Sequence, residues 1–485
     1  MRNMVRALVA GSVCFLTGCL VGPKYQRLVV TAPAVSRGQA AAEAASLADL
    51  PWWEIFRDET LRGLVQTALA NNNDLRIAVK RVEQARQLTV QAHAEYMPNV
   101  GYEVGLSAGR NESLGVPAFS NGVQRGTIAI GLGAAWEADV WGRIRRLNEV
   151  ALANNLASEQ GRRGVLLSLV SSVAQAYFEL LELDLRLEIA RRNVQAFEGS
   201  RKIFQERLEG GTASRLETAR AEGALAATAA TIPELERQMA IQENEIHLLL
   251  GSAPGPVPHS GTLLEHTVPP AVPAGLPSAL LERRPDVLQA ELAVRAANAQ
   301  IGVATAALFP KIGLTTLLGR GSSPLAAFIG GQANLWSAAA SIAGPIWEGN
   351  GLRAQKRQAV AAWEQARIEY GQAALAAFRD VSNALITREK LEAVRDRQIE
   401  AVKAFQTAVE VSQQRYLAGK SGYFEVLEAQ QQLVPAENAL AQTELDRRLV
   451  IVQLYHALGG GWHLSDADWG GPPPGTMPAA PKQNP

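Results

Sequence analysis

The sequence predicts an α+β membrane protein built from two copies of one strand-and-helix half. Three observations predict it. Two very long stretches keep helical periodicity, from about Arg143 to Leu208 and from about Leu352 to Leu417. Each follows a pair of segments that alternate like strands, and each leads through a Gly-containing turn into a returning helical pattern. The two halves also align on one another at constant offsets, as a repeat of roughly 210 residues. At ~1.5 Å per residue, a helix of ~65 residues is a rod on the order of 100 Å, far longer than a compact globular domain needs.

Composition sets the outer limits. The 485 residues would allow two or three ordinary domains. Lys+Arg and Asp+Glu both number 47, so no bulk charge draws a nucleic acid or a strongly charged substrate. Alanine, Gln, Glu, Arg and Leu dominate, the composition of long helices. Aromatics are only 6%, which predicts helices packed through small residues rather than one large conventional core.

The first residues are a targeting segment. Arg2 and Arg6 precede the apolar run Ala7–Leu16, which is too short to span a bilayer and reads as a secretory signal over residues 1–18. Leu16-Thr17-Gly18-Cys19 is similar to the bacterial lipoprotein box, which would leave Cys19 as the lipidated first mature residue. The alternative is an ordinary signal peptide with an incidental cysteine. Cys14 falls in the removed segment, so the mature chain has no cysteine pair. Several acyl chains on Cys19 would anchor the protein firmly in lipid.

Residues 19–58 read as an N-terminal arm, with Trp52-Trp53 and Phe56 as an apolar anchor before a short helix at Leu61, Leu64 and Leu69. The first repeat is set at 59–250. Asn71–Tyr96 is helical by pattern and ends at Pro98; its counterpart Arg284–Leu308 ends at Pro310. In this alignment Asp74 meets Asp286, Ala78 meets Ala290, Ala85 meets Ala297 and Gly101 meets Gly313.

After each proline the period becomes that of a strand. Val100, Tyr102, Val104 and Leu106, then Ile128, Ile130, Leu132 and Trp136, alternate with small or polar residues within about 98–140. The second repeat, 279–460, carries a weaker version at about 310–348: Ile312, Leu314 and Leu318, then Trp336, Ala338, Ala340, Ile342 and Ile346. Loops are expected near Arg110–Arg125 and Gly319–Ala333. Strands of about ten residues with one apolar face suit a membrane barrel around a wet lumen.

The turns are expected at about 207–216 and 415–424, where Arg207 meets Arg415, Gly211 meets Gly419, Glu217 meets Glu425 and Ala221 meets Ala429. Returning helices follow at about Leu216–Leu250 and Phe424–Leu458, with kinks or breaks expected at Pro233 and Pro435. Residues 251–278 form a Pro/Gly-rich linker, and 461–485 a tail that composition marks as disordered from Gly470.

Four strands cannot close a barrel alone. Lipid tolerates no open sheet edge, because each unpaired backbone group costs several kcal/mol, and known barrels begin at about eight strands. Two chains would give eight and three would give twelve; the pattern itself does not choose.

Taken in order, several stretches resemble the outer-membrane efflux duct family, the TolC-like proteins, in its lipidated NodT-like branch. They are Cys19-Leu20-Val21-Gly22-Pro23-Lys24-Tyr25, Trp53 with Phe56, and Asn72 with Asp74-Leu75. Further on come Trp136-Glu137-Ala138-Asp139-Val140-Trp141-Gly142-Arg143, Arg283-Arg284-Pro285-Asp286-Val287, and Arg415-Tyr416 with Val426-Leu427-Glu428-Ala429-Gln430. The resemblance implies a homotrimer in the outer membrane, with a twelve-stranded β-barrel continued by a twelve-helix α-barrel through the periplasm. It also implies a periplasmic adaptor and an inner-membrane pump of the RND class as partners. The tips around Gly211 and Gly419, with Arg207 and Arg415, would meet that adaptor. Pro98, Pro310, Gly142 and Arg143 would mark the strand–helix junctions.

By the same resemblance, Phe424 and Glu428 match rings that close the periplasmic mouth, and Tyr416 matches a latch position. Residues i and i+4 share a helix face, so three-fold symmetry would turn each into a ring. A Phe ring would dewet a narrow mouth and a Glu ring would attract cations. The plainer alternative has Phe424 packed between helices and Glu428 solvated. Leu417 stands where many relatives carry a basic residue, and Asn350-Gly351 departs from Gly142-Arg143, so the latch and the second junction need not follow the pattern. Arg143, Arg145 and Arg146 suit either a membrane–water boundary or a solvated helix start.

The six histidines show no metal-ligand spacing, and no P-loop, dinucleotide fingerprint or nucleophile elbow is present. The expectation is no enzyme and no cofactor, but a passive duct for small toxic compounds. The competing readings are the exit duct of a type I protein secretion line, and a periplasmic coiled-coil spacer lipoprotein, which would lack membrane strands.

Overall fold

The computed structural model describes residues 20–39, 46–109, 125–211, 214–259, 261–265, 274–322, 328–330, 334–465 and 468–471, without the side chains of 107–109 and 125–127. Cys19 and the signal segment lie outside the described residues. The chain divides into two compact units. One holds Arg81–Glu159, Gln289–Tyr370 and the described part of Met1–Val29; the other holds Val30–Lys80, Gln160–Leu288 and Gly371–Pro485.

The first unit contains a four-stranded antiparallel sheet of β1 (Asn99–Gly109), β2 (Arg125–Ala138), β3 (Lys311–Ser322) and β4 (Asn334–Ala343), in that order. Side chains alternate across a strand, so the apolar period places one large row on one face. Tyr102, Leu132, Leu318 and Trp336 stand opposite one another across all four strands, and all four are exposed. Glycines fill the other face at Gly101, Gly105, Gly131 and Gly133. At the β2–β3 seam Gly131 pairs with Gly319, where an added Cβ would run into the Ile130 carbonyl.

The two hairpins share one register. Laying Pro98 on Pro310 and Gly142 on Asn350 carries the pair Tyr102↔Leu132 onto Leu314↔Ala340, and Val100↔Ala134 onto Ile312↔Ile342. The second hairpin departs from expectation at its margins. Gly319–Ser322 is strand rather than loop, and β4 stops at Ala343, leaving Ile346 and Trp347 outside it and almost wholly exposed. Gly344 and Pro345 follow directly, and neither favours a strand interior. The entries to the two hairpins match: α3 (Asn73–Ala94) and α8 (Pro285–Ala306) each end in a turn that leads through Pro98 or Pro310 into a strand.

In the same unit the arm runs extended against α8 and the start of α4 (Arg143–Glu209). Gly22 sits so close to Gly302 that a Cβ on it would lie 2.5 Å from the Gly302 Cα. Buried Arg146 donates to the carbonyls of Val21 (3.2 Å) and Gly22 (3.3 Å), and Asn298 donates to that of Pro23 (3.1 Å). Tyr25 donates to Glu291 at 3.0 Å; burial and the adjacent carboxylate push its hydroxyl up to about 12, so it stays a donor.

The second unit carries the helical core. Here α1 (Trp52–Phe56) and α2 (Glu59–Asn71) pack with the middle of α4, and with α6 (Thr231–Leu250), the one-turn α7 (Leu280–Arg283) and α10 (Tyr423–Ala457). The core is larger and more aromatic than composition suggests, with Trp52, Tyr177, Phe178, Leu180, Ile246, Tyr455 and Trp469 all buried. Few aromatics are enough here, because Trp52, Tyr177, Phe178, Tyr455 and Trp469 are gathered in this one core. Each fully buried large side chain contributes roughly 1.5–3 kcal/mol. Helix α4 has a window apolar enough to cross a membrane, but 61% of that window is buried in the protein's own fold. The start of the tail is held in this core: Trp52 donates its indole N–H to the Trp469 carbonyl at 2.9 Å and Gln66 donates its side-chain amide to the Gly470 carbonyl at 2.7 Å, while residues 472–485 lie outside the described residues.

The prolines act differently. The chain breaks at Ala230, between α5 (Arg215–Ala229) and α6, so Pro233 falls in the first turn of a new helix, where it needs no donor. Helix α10 instead continues through Pro435. The second long helix, α9 (Gly351–Leu417), has 67 residues, as does α4.

Candidate functional site

The tip of the second unit is built by two helix ends. Gly211 (φ 72°) and Gly419 (φ 68°) adopt left-handed backbone, which glycine takes without penalty. The Gly419 N–H donates to Tyr416 at 3.0 Å and the Lys420 N–H to Arg415 at 2.8 Å, the paired bonds of a Schellman end. Gly211 repeats the first of these onto Leu208, also at 3.0 Å. Arg207 and Arg415 therefore stand at matching places in the last turns, where positive charge suits the helix dipole.

The returning helices start differently. Ser214 and Glu217 form a capping box, with Ser214 N–H donating to Glu217 Oε2 at 2.8 Å and Glu217 N–H donating to Ser214 Oγ at 3.3 Å. At the equivalent start of α10 the cap is Gly422, which offers no side chain, and Glu425 lies 3.6 Å from Arg415 instead.

Between these ends Phe197, Phe204, Ala221, Tyr416, Tyr423, Val426 and Leu427 form a small apolar core. The Phe204 ring lies 3.9 Å from Tyr423 and 5.5 Å from Tyr416, centroid to centroid, and the Arg207 guanidinium sits 4.4 Å from the Tyr416 centroid. Phe424 and Glu428 share the opposite, exposed face of α10, one turn apart. Phe424 is 60% exposed with the Arg220 guanidinium 5.7 Å from its ring centre, so within the chain it does not pack between helices. The structure brings Phe424 and Glu428 together and places Tyr416 in the interior; Leu417 is exposed.

The first strand–helix junction is an ionic clasp. Arg143 forks onto Glu137 at 2.8 and 2.9 Å, and reaches Glu95 at 3.3 Å. Asp139 accepts from the backbone of Ile144 and Arg145, capping α4. Gly142 has φ 79°, and a Cβ there would strike Leu20. Arg143, Arg145 and Arg146 are thus committed to intramolecular bonds, which neither reading of the basic cluster anticipated. At the second junction Asn350 reproduces the left-handed backbone with φ 68°, since asparagine tolerates that region. Its preceding residues supply no counterpart of the Asp139 cap: Trp347 occupies that place and is exposed.

Two charged clusters escaped the sequence reading. Arg284 is buried, forks onto Asp286 at 3.0 and 2.7 Å, and donates to Asp380 and the Ala457 carbonyl at 3.2 Å each. Glu444 is buried against Arg395, Arg447 (2.8 Å) and Arg448 (2.9 Å). Burial pushes its carboxyl up, but the bonds from Arg395 and Arg448 and the charge of Arg447 hold it below the usual range. Helical spacing could have paired Glu444 with Arg447 and Arg448, and Arg284-Pro285-Asp286 stood out as a motif, but the distant partners Arg395 and Asp380 and the burial leave no sign in the period.

Strands that turn an apolar row outward, joined to 67-residue helices with capped tips, define a class: a strand-forming membrane protein with long helical segments. The profile of the family described as "Outer membrane efflux protein" matches twice, over residues 64–252 and 276–460. The chain belongs to the outer membrane efflux protein family. It is 32% identical over 455 residues to the cation efflux system protein CusC of Escherichia coli O6:H1, covering 92% of this chain and 96% of CusC. It is 33% identical over 469 residues to the solvent efflux pump outer membrane protein SrpC of Pseudomonas putida, covering 95% and 99%. The solved outer-membrane channel OprN superposes with a TM-score of 0.85 at 32% identity, covering 92% of this chain and all of that one. The protein is an outer-membrane efflux channel component, and its relatives are channels rather than enzymes.

Proposed function

We propose that the protein is the passive, trimeric exit duct of a tripartite efflux system. Three chains contribute four strands each to a twelve-stranded barrel, continued by twelve helices into the periplasm, with Cys19 lipidated at the membrane. The observation that carries this reading is the four-stranded sheet with an exposed apolar row, since such a sheet in lipid must find further strands. It also counts against a periplasmic spacer, which would have no such sheet. The double match of the family profile supports a duplicated half-molecule.

The tips around Gly211 and Gly419 form the mouth and receive a periplasmic adaptor, which links the duct to an RND-type pump. Phe424 and Glu428 ring the mouth. Cargo is a class of small toxic compounds rather than one ligand: CusC is named for cations and SrpC for solvents, at nearly the same identity to this chain. Selection therefore belongs to the pump.

Planar-bilayer conductance of the reconstituted protein tests the reading. The variant Phe424→Ala/Glu428→Ala should conduct severalfold more than the parent. Unchanged conductance removes both residues from the gate, and a preparation that never conducts, in either form, overturns the duct.

A further inference from the structure

The two strand–helix junctions differ in charge more than in backbone. From Trp136 to Glu149 three acids balance three arginines, and all six are bonded within the chain. Glu137 and Glu95 accept from Arg143, Asp139 accepts from Arg145 and the start of α4, and Glu149 accepts from Arg146 at 2.8 Å. With Gly142 laid on Asn350, Pro345 stands in place of Glu137, Trp347 in place of Asp139 and Arg357 in place of Glu149. The second stretch therefore sets Arg353, Lys356 and Arg357 against the single acid Glu348. Among the described residues none of these three cations has an ion pair or a side-chain hydrogen bond.

Their spacing of i, i+3 and i+4 puts them on one face of α9. Arg353 and Arg357 are exposed, and Lys356 is half-buried. Just before them Ile346 and Trp347 are 103% and 84% exposed. An exposed tryptophan beside arginine and lysine, at the end of a membrane strand, is the make-up of a membrane–water boundary. At ~1.5 Å per residue, Arg353 and Arg357 lie about 3 and 9 Å along α9 from Gly351. The headgroup layer is roughly 5–7 Å thick on each side of the hydrocarbon. Helical side chains tilt toward the N-terminus, here back toward the bilayer, and long cationic ones reach further. That puts all three charges within reach of lipid phosphates.

We propose that this face of the second junction binds an anionic phospholipid, with Arg353, Lys356 and Arg357 on its phosphate and Trp347 at the headgroup–acyl boundary. This rests on the strands crossing the outer membrane and adds a bound lipid at one of the two junctions of each chain. A neighbouring copy is the other source of negative charge, but the acids of its first junction are already taken by Arg143, Arg145 and Arg146. Lipid phosphate is the anion left, and arginine forks onto phosphate with paired, charge-assisted hydrogen bonds. The first junction, neutral and closed on itself, makes no such site.

Native mass spectra of the detergent-solubilised protein, titrated with phosphatidylglycerol or phosphatidylcholine, count the lipids bound per chain. The parent should bind phosphatidylglycerol at least tenfold more tightly than phosphatidylcholine, and added salt should narrow the gap. Arg353→Gln/Lys356→Gln/Arg357→Gln should lose the preference. So should Arg357→Glu, which gives this position the side chain of its counterpart Glu149 and thus suits the fold. Lys390→Gln/Arg397→Gln/Lys403→Gln removes the same charge about 50 Å or more farther along α9 and should keep it. An equal preference in the parent and the first triple variant overturns the site. Equal loss in the distant variant also overturns it, since bulk charge then does the attracting. Displacement of phosphatidylglycerol by equimolar inorganic phosphate assigns the cluster to a free anion and overturns the lipid. A parent without lipid preference, whose first triple variant falls to one-chain mass, gives the cations to a neighbouring chain and overturns the lipid as well. Each of these results leaves the barrel standing, whereas parent protein released from membranes without detergent overturns both.

Discussion

Glu444 illustrates how single residues are held in this protein. Its side chain is 5% exposed, and three arginines surround it, so removing its charge strands Arg447 and Arg448, which have already lost most of their water. Glu444→Gln should destabilise the protein by about 3 kcal/mol or more, measured by denaturant melts in detergent. The folded carboxyl titrates below its unfolded value of about 4.3. Its contribution is therefore complete above that value and lost as pH falls through the folded one. Parent protein should lose stability steeply in that acid window, and Glu444→Gln less so. An acid limb of equal depth in both would take Glu444 out of it. Asn350 makes a second point at this scale: a side chain unlike Gly142 preserves the backbone conformation, while the missing Asp139 equivalent changes what surrounds it.

At the scale of elements, equivalent helix ends are made with unequal means. A left-handed glycine follows both α4 and α9, but Ser214 caps α5 whereas bare Gly422 starts α10. Glycines inside and outside helices should respond oppositely to the same change. An added Cβ meets nothing within 4 Å at either Gly419 or Gly223, so backbone alone decides. Gly419→Ala forces left-handed backbone on alanine and should cost about 1 kcal/mol, with faster hydrogen exchange around Lys420. Gly223→Ala, within α5, should gain roughly 0.5–1 kcal/mol. Equal signs in thermal melts would contradict the assignment of the turn.

At the scale of the whole molecule, the decisive property is incompleteness. On the duct reading, the exposed row Tyr102–Leu132–Leu318–Trp336 meets lipid, and the two sheet edges among the described residues pair with further strands. Protein extracted from an outer-membrane fraction should have the native mass of three chains. A monomer released by washing without detergent would mean that these strands do not meet lipid. Phe424 is likewise exposed in one chain.

The sequence by itself determined the long helices almost to the residue, the four strands, the prolines that introduce them and the glycine turns. Period and backbone permissiveness are local properties written in neighbouring residues. Phe424 and Glu428 could be placed on one face for the same reason. Only the tertiary structure decided that Tyr416 belongs to an aromatic cluster with Phe204 and Tyr423, and that Arg146 clasps the N-terminal arm. It alone showed Arg284 and Glu444 as buried ionic centres, and Trp469 as core rather than tail. Each of these joins residues far apart in the chain, and such a partner is chosen by packing and by the need to satisfy buried charge, neither of which leaves a period to read.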